Sequence, residues 1–168
     1  GKKAQAFTFL EKHVQAHSND IPSAMLLAER QIGKDRAAAI KTYEQVLTKT
    51  PDNFVVLNNL AYLAFEDKNL TRAEELAKKA VSLQRENADA VDTLAQIYVA
   101  KGDKAAALKL YEEVSARPIA NDDVYLNHVS VLLELDKKAL ASRKLASREF
   151  KSEAAKQRAE SLKQQYGL

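Results

Sequence analysis

Apolar residues recur along this chain at the spacing of a helix, not at the alternation of a strand. Leu57, Leu60, Ala61 and Ala64 stand at i, i+3, i+4 and i+7, one stripe of a helical face. After a polar break at residues 66–70, Ala73, Leu76, Ala77, Ala80 and Val81 draw a second stripe. The pair of stripes then repeats. A shift of 34 carries Leu57, Leu60, Ala61, Ala64, Ala73, Ala77 and Ala80 onto Val91, Leu94, Ala95, Tyr98, Ala107, Tyr111 and Val114. A second shift of 34 reaches Tyr125, His128, Val129, Leu132, Ala141, Leu145 and Arg148. Backwards, the second stripe recurs as Ala39, Tyr43 and Val46 with Pro51, and a step of 33 reaches Ala6, Leu10, His13 and Ser18. This organisation gives a half unit at 3–20 and units at 21–53, 54–87, 88–121 and 122–155. A closing amphipathic helix is expected at 152–166, with Ala155, Ala159, Leu162 and Tyr166 facing the array and a charged outer face.

Each unit reads as two helices. Lys101-Gly102-Asp103 marks the break inside a unit, glycine being free to take the left-handed conformation that ends a helix. Pro51 with Asp52-Asn53, and Pro118 near Asn121-Asp122, mark the joins between units. No β-like alternation is sustained, so the fold is expected to be all-helical. Ala61, Ala73, Ala80, Ala95 and Ala107 fall where paired helices cross, letting backbones approach to roughly 8–10 Å. A hairpin of this kind cannot bury both faces alone, so the units are expected to stack.

Composition narrows the chemistry. The 168 residues contain no cysteine, which excludes disulfides, thiolate metal sites and a cysteine nucleophile. Only 4 glycines occur, too few and too scattered for a glycine-rich phosphate loop. The longest apolar run, 60–65, is far short of a membrane span. A balance of 26 bases against 23 acids makes no nucleic-acid argument by itself. His13 and His17, at i and i+4, share a helical face but lack further ligands, so no metal is expected. His128, at a core position, reads as a packing residue, and no constellation of catalytic residues is found. No cofactor is implied. The chain begins at Gly1 and its first pattern starts mid-unit, as in a segment of a longer protein. Phe7, Phe9 and Leu10 would then be open to a second copy of the chain.

The pattern Leu57, Leu60-Ala61, Ala64 with Ala73, Ala77 and Ala80 resembles the tetratricopeptide repeat. Val91, Leu94-Ala95, Tyr98 with Ala107 and Tyr111 resembles it more closely, and Pro51 with Asp52-Asn53 matches that family's turn between repeats. The likeness covers about residues 3–155; it departs at His128 and Arg148, and the unit at 21–53 is one residue short. The resemblance implies a right-handed α-solenoid that acts as a non-catalytic scaffold, with the first helix of each hairpin lining a concave groove. The implied groove residues are Met25, Glu29, Asn58, Asn59, Tyr62, Glu66, Asp89, Asp92, Thr93, Gln96, Leu126, Asn127, Ser130 and Glu134. Of these, Asn58, Asn59, Tyr62, Asp92, Gln96, Asn127 and Ser130 are the expected partner-binding set. Asn59 and Asn127 would hold a peptide main chain, because a carboxamide supplies both a donor and an acceptor. The family's clamp for a terminal carboxylate is not expected, since Asp89 and Asp92 would repel one. The same acids favour a neutral to basic segment.

Asn58 through Leu63, and Asp92-Thr93-Leu94-Ala95, also resemble repeats of bacterial tetratricopeptide lipoproteins linked to exopolysaccharide production and the PEP-CTERM sorting system. That resemblance implies a periplasmic or envelope location, with membrane association only through an upstream lipid anchor. A rival reading rests on Lys137, Lys138, Arg143, Lys144, Arg148 and Lys151, which face one acid, Glu149, between 137 and 151. Such a surface could meet nucleic acid or an anionic membrane. A spacer whose groove binds nothing is the third.

Overall fold

The computed structural model describes residues 1–168, apart from the side chain of Lys3. Regular structure among the described residues is entirely helical. In chain order the helices are α1 (Lys2–Ala16), α2 (Ile21–Ile32), α3 (Arg36–Lys49), α4 (Phe54–Glu66), α5 (Leu70–Leu83), α6 (Ala88–Ala100), α7 (Lys104–Val114), α8 (Asp122–Glu134), α9 (Lys138–Ala146) and α10 (Glu153–Tyr166). They form two compact units, Gly1–Leu83 and Gln84–Leu168. The first holds α1 and the hairpins α2–α3 and α4–α5. The second holds the hairpins α6–α7 and α8–α9, with α10 packed on α8 and α9.

Helix starts follow from the side chains that cap them. Asp20, Asp35, Asn53, Asn87, Asp103, Asn121 and Ser152 each accept a hydrogen bond from a first-turn backbone N–H, and Asn69 does the same for Arg72. Helices α1, which follows Gly1, and α9 are the exceptions, and α9 breaks the pattern of its own repeat series. Lys137 stands where Asp35, Asn69 and Asp103 cap the other second helices, and it makes no such bond. That helix is also the shortest, at 9 residues. Loss of a cap and a lysine at the positive end of the helix dipole both work against a longer one.

The turns inside the α4–α5, α6–α7 and α8–α9 hairpins each place one residue in the left-handed region, whereas the α2–α3 turn has none. Gly102 provides it at φ 85°, and the equivalent positions one repeat either side, Lys68 and Asp136, take it at 62° and 57°.

Alanine sets the spacing within hairpins. Ala28 and Ala39, Ala61 and Ala73, Ala95 and Ala107 are wholly buried, as the crossing of two close helices requires. Larger residues then fill the space between neighbouring helices. In the first unit Tyr43, Val46, Val56, Leu60 and Leu63 form that core with Ala24 and Ala28. In the second, Leu94, Ile97, Tyr111, Val124, Leu126, Val129 and Leu132 are buried.

The unusual Arg148 has a structural explanation. Its Nε and Nη2 donate to Asp122 Oδ1 at 2.9 and 2.6 Å, and Nη1 and Nη2 donate to the carbonyls of Ile119 and Ala120 at 2.6 and 3.0 Å. The guanidinium also stacks over Tyr125, 4.4 Å from the ring centroid. One side chain thus ties the segment after α9 to the loop before α8. The Arg148 hydrogen bond holds the Asp122 carboxyl below the usual carboxylate range.

Candidate functional site

Within the first unit, one face of α4 carries Val55, Asn58, Asn59, Tyr62 and Glu66. These residues are half-buried or exposed, whereas Val56, Leu57, Leu60, Ala61, Leu63 and Ala64 are buried on the other. The equivalent face of α2 carries Pro22, Met25, Leu26 and Glu29. Two large apolar side chains stand open on this side, Leu26 at 42% and Tyr62 at 50% exposure. Asn58 Oδ1 is buried without a hydrogen-bond partner. Glu66 lies 4.0 Å from Arg36, and Glu29 is exposed.

Asn59 is engaged inside the fold. Its Nδ2 donates to the hydroxyl of Tyr43 at 3.0 Å, and burial pushes that phenol's pKa up. The tyrosine comes from α3, the outer helix of the preceding hairpin. An aromatic body fills the space between hairpins, and its polar tip needs a partner on the far side.

The second unit repeats the device with more members. Tyr111, fully buried, donates from its hydroxyl to Asp92 Oδ1 at 2.6 Å. Gln96 Nε2 donates to the same hydroxyl at 3.2 Å. Asn127 Nδ2 donates to both Asp92 oxygens at 2.9 and 3.0 Å, and Arg158 Nη2 donates to Asn127 Oδ1 at 2.5 Å. Burial raises the Asp92 carboxyl against the lowering effect of Tyr111, Asn127 and Gln96. It also drives the Tyr111 phenol far above its ordinary value, with the Asp92 charge adding to the effect. A single polar chain therefore links α6, α7, α8 and α10. Asn127 uses its donor and its acceptor in that chain.

The remaining expected groove residues divide in the same way. Ser130 Oγ donates to Leu126 O at 2.9 Å, and Thr93 Oγ1 to Asp89 O at 3.1 Å, each within its own helix. Asp89 accepts from Asn121 Nδ2 at 2.9 Å, and Glu134 pairs with Lys104 at 3.0 Å. Leu126, expected on the groove, is completely buried. Of the second unit's groove acids, Asp92, Asp89 and Glu134 are thus all met by donors or cations.

The histidines do not form a site. His13 Nε2 bonds Asp20 Oδ2 at 2.9 Å, and His17 Nδ1 lies 3.1 Å from His13 O with the two rings stacked. The bonds from His13 and Ser23 hold the Asp20 carboxyl down to about 2. No group of three or more potential ligands for a metal occurs among the described residues. His128 Nδ1 lies 3.2 Å from Ser115 Oγ, as a base would lie from a nucleophile. Burial, then the charge of Lys144, lowers the imidazole to about 4, leaving a weak base. The ring stacks flat on Tyr111 at 5.2 Å, the geometry of a packing residue.

Comparison with known proteins now bears on these faces. Residues 64–125 match the family described as tetratricopeptide repeat, from the end of α4 into α8. That stretch carries the tetratricopeptide-repeat pattern. The fold class of the chain is accordingly an all-α solenoid of helical hairpins, and solved structures agree. The Pseudomonas aeruginosa pilF structure is 19% identical, covers 99% of this chain and 86% of its own, and has a TM-score of 0.76. MamA from Desulfovibrio magneticus RS-1, residue 41 to the end, is 14% identical over 88% of this chain and 84% of that one, with a TM-score of 0.73. Another MamA crystal structure is 15% identical over 96% and 89%, with a TM-score of 0.68. No curated protein sequence matches the chain. Identities this low speak for the fold of the repeats alone.

The polar chains of Asn59 and Asn127 are what sequence reading left out. A tyrosine at repeat position 43 or 111, two units apart, was the available signal. It foretells a buried hydroxyl that must find a partner.

Proposed function

We propose that the chain is a non-catalytic protein–protein interaction scaffold that takes a protein or peptide segment on the open face of α2 and α4. The observation that carries this reading is the exposure of Tyr62 and Leu26, at 50% and 42%, on equivalent faces of α4 and α2. Exposed aromatic and aliphatic anchors on one face are what a bound segment would cover. Asn58 and Tyr62 touch the partner, and Gln96 and Ser130 offer polar contacts in the second unit. Asn59, Asp92 and Asn127 contribute by fixing the helices that present them. Glu29 on the same face favours a neutral to basic segment.

The finer assignment is to assembly in a bacterial envelope, with any membrane attachment supplied by a lipid anchor upstream. It is supported by the lipoprotein-like stretches at 58–63 and 92–95 and by the bacterial origin of the pilF and MamA structures. A second copy of the chain would pack through Phe9, which is 73% exposed.

A photo-crosslinking residue at position 62 tests the reading against the same residue at Glu75, exposed on the outer helix α5. Partner crosslinks are expected from 62 only, in lysate and envelope fractions of the source cell. Excess wild-type chain should compete, and Leu26→Ser/Tyr62→Ala should compete at least about tenfold less well. Identical products from both positions, or none from 62, would remove the face from consideration.

A further inference from the structure

A cavity of about 430 Å3 lies between the segment after α7, helix α8 and the C-terminal end of α9. This is within the range of about 300–1,000 Å3 typical of ligand pockets. Its walls are unlike those of the earlier repeats. Lys144 stands where the two preceding hairpins place Leu76 and Leu110, and Ser115 where they place Leu47 and Val81. His128 stands where they place Leu60 and Leu94. Ser115 and Lys144 line the cavity, and with His128 they line the hollow next to it. Three positions that are apolar in earlier hairpins are thus polar here, and they converge.

Charge sets the cavity apart as well. Arg117, Lys144 and Arg148 line it, and no acid does among the described residues. Two of the three are matched from outside it. Arg148 is met by Asp122 and the carbonyls of Ile119 and Ala120, and Arg117 by Glu86. Lys144 is not. Its ammonium lies over the Tyr125 ring, 4.8 Å from the centroid, and the Arg148 guanidinium lies 4.4 Å from the same centroid. Burial, then the charge of Arg148, lowers the Lys144 pKa, and no carboxylate acts in the other direction. A half-buried cation beside a like charge is costly unless an anion joins it. Packing gives no reason to place one where a leucine served.

We propose that this cavity binds the phosphate monoester group of a small molecule. Such a group presents three acceptor oxygens and a charge of about −1.5 to −2, where a carboxylate presents two oxygens and a single charge. Lys144 supplies the unmatched positive charge. Ser115 supplies a hydroxyl, its oxygen 3.2 Å from Nδ1 of the neutral His128; Nδ1–H donates to that oxygen and leaves the hydroxyl proton for the phosphate. Arg117, exposed in its surface pair with Glu86, turns inward as the third donor. Pro118 and Ile119 form an apolar wall for the rest of the molecule. The site lies in the second unit, away from the face of α2 and α4. Crosslinking from position 62 does not report on it, so either reading can fail without the other.

The probes are inorganic phosphate and glycerol 3-phosphate, titrated into the full chain at about 0.15 M salt while backbone amides are followed by NMR. Saturable shifts at Ser115 and Arg117 are expected, with acetate binding at least about fivefold more weakly. Lys144→Leu restores the residue type of Leu110. It should weaken glycerol 3-phosphate at least about tenfold and raise the melting temperature, because a half-buried charge is removed. Arg117→Gln should weaken it about threefold. Lys137→Gln, in the same basic run but outside the cavity, should leave the affinity unchanged. Should Lys144→Leu misfold, Arg117→Gln and Lys137→Gln still decide. No saturable shift, equal binding of acetate, undiminished binding by the folded cavity variants, or an equal loss in Lys137→Gln would overturn the proposal. Retention on vesicles containing phosphatidic acid without binding of glycerol 3-phosphate would overturn it too, in favour of a lipid headgroup.

Discussion

His128 occupies the repeat position that Leu60 and Leu94 fill in earlier hairpins, and it is 2% exposed. Burial and the nearby Lys144 charge lower its pKa from an ordinary 6.5 to about 4. Above pH 6.5 the ring is neutral in folded and unfolded chains alike, and its full contribution to stability is present. As pH falls from 6.5 towards 4, the unfolded chain takes up the proton and the folded chain does not, so stability is lost. The loss is on the order of 3 kcal/mol over that window. Asp92 slopes the other way, because its raised carboxyl takes up a proton more readily in the folded state than in the unfolded one. The Asp20 carboxyl, held at about 2 against an ordinary 3.8, acts only at lower pH. His128→Leu leaves both acids in place. Urea unfolding at about pH 7 and about pH 4.5 should therefore show the variant losing less stability on acidification than the parent, by about 2 kcal/mol. Equal losses in the two proteins would mean that the imidazole is protonated in the folded state.

Among the elements, the turn between paired helices shows most plainly how repetition constrains a residue. Lys68, Gly102 and Asp136 stand 34 apart in sequence and share the left-handed conformation. Only glycine adopts it without a steric cost, which is about 1 kcal/mol for other residues. Asp136→Gly should thus stabilise the chain by about 0.5–1 kcal/mol, measured by urea unfolding. Lys68→Gly should gain less, because it also removes the contact of Lys68 Nζ with the Phe65 ring at 5.6 Å. The hairpins themselves were legible because their apolar spacing recurs every 34 residues and their caps recur with it. The partners of the groove asparagines were not. Helical periodicity tells which face holds Asn59 or Asn127, but not that Tyr43 reaches the first across 16 residues or that Arg158 reaches the second across 31. Likewise the basic run near the C-terminus was visible, while the pairing of Arg148 with Asp122, 26 residues away, was not. Contacts at such separations depend on how hairpins stack, which no single period encodes.

At the scale of the whole molecule, the question is whether 26 bases against 23 acids make an anionic-surface protein. Among the described residues, half of the basic run is already committed. Arg148 is locked to Asp122 and two carbonyls, Lys138 Nζ donates to Tyr166 O at 2.9 Å, and Lys144 is half-buried over the Tyr125 ring at 4.8 Å. Burial, with Arg148 alongside, lowers the pKa of Lys144. Lys137, Arg143 and Lys151 remain exposed. At about 1 kcal/mol per cation near an anionic membrane, these three and Lys138, whose charge a bond to a carbonyl does not remove, supply only about 4 kcal/mol, too little for stable attachment. Vesicles rich in phosphatidylserine, and single-stranded RNA, should therefore retain almost none of the chain at about 0.15 M salt. Arg148→Glu is unsuited to the test, because breaking its pair should cost about 3 kcal/mol of stability. Lys137→Glu/Arg143→Glu/Lys151→Gln changes exposed side chains without placing an acid beside Asp122. Strong retention of the parent chain, abolished in that triple variant, would return the anionic-surface reading to first place over the scaffold.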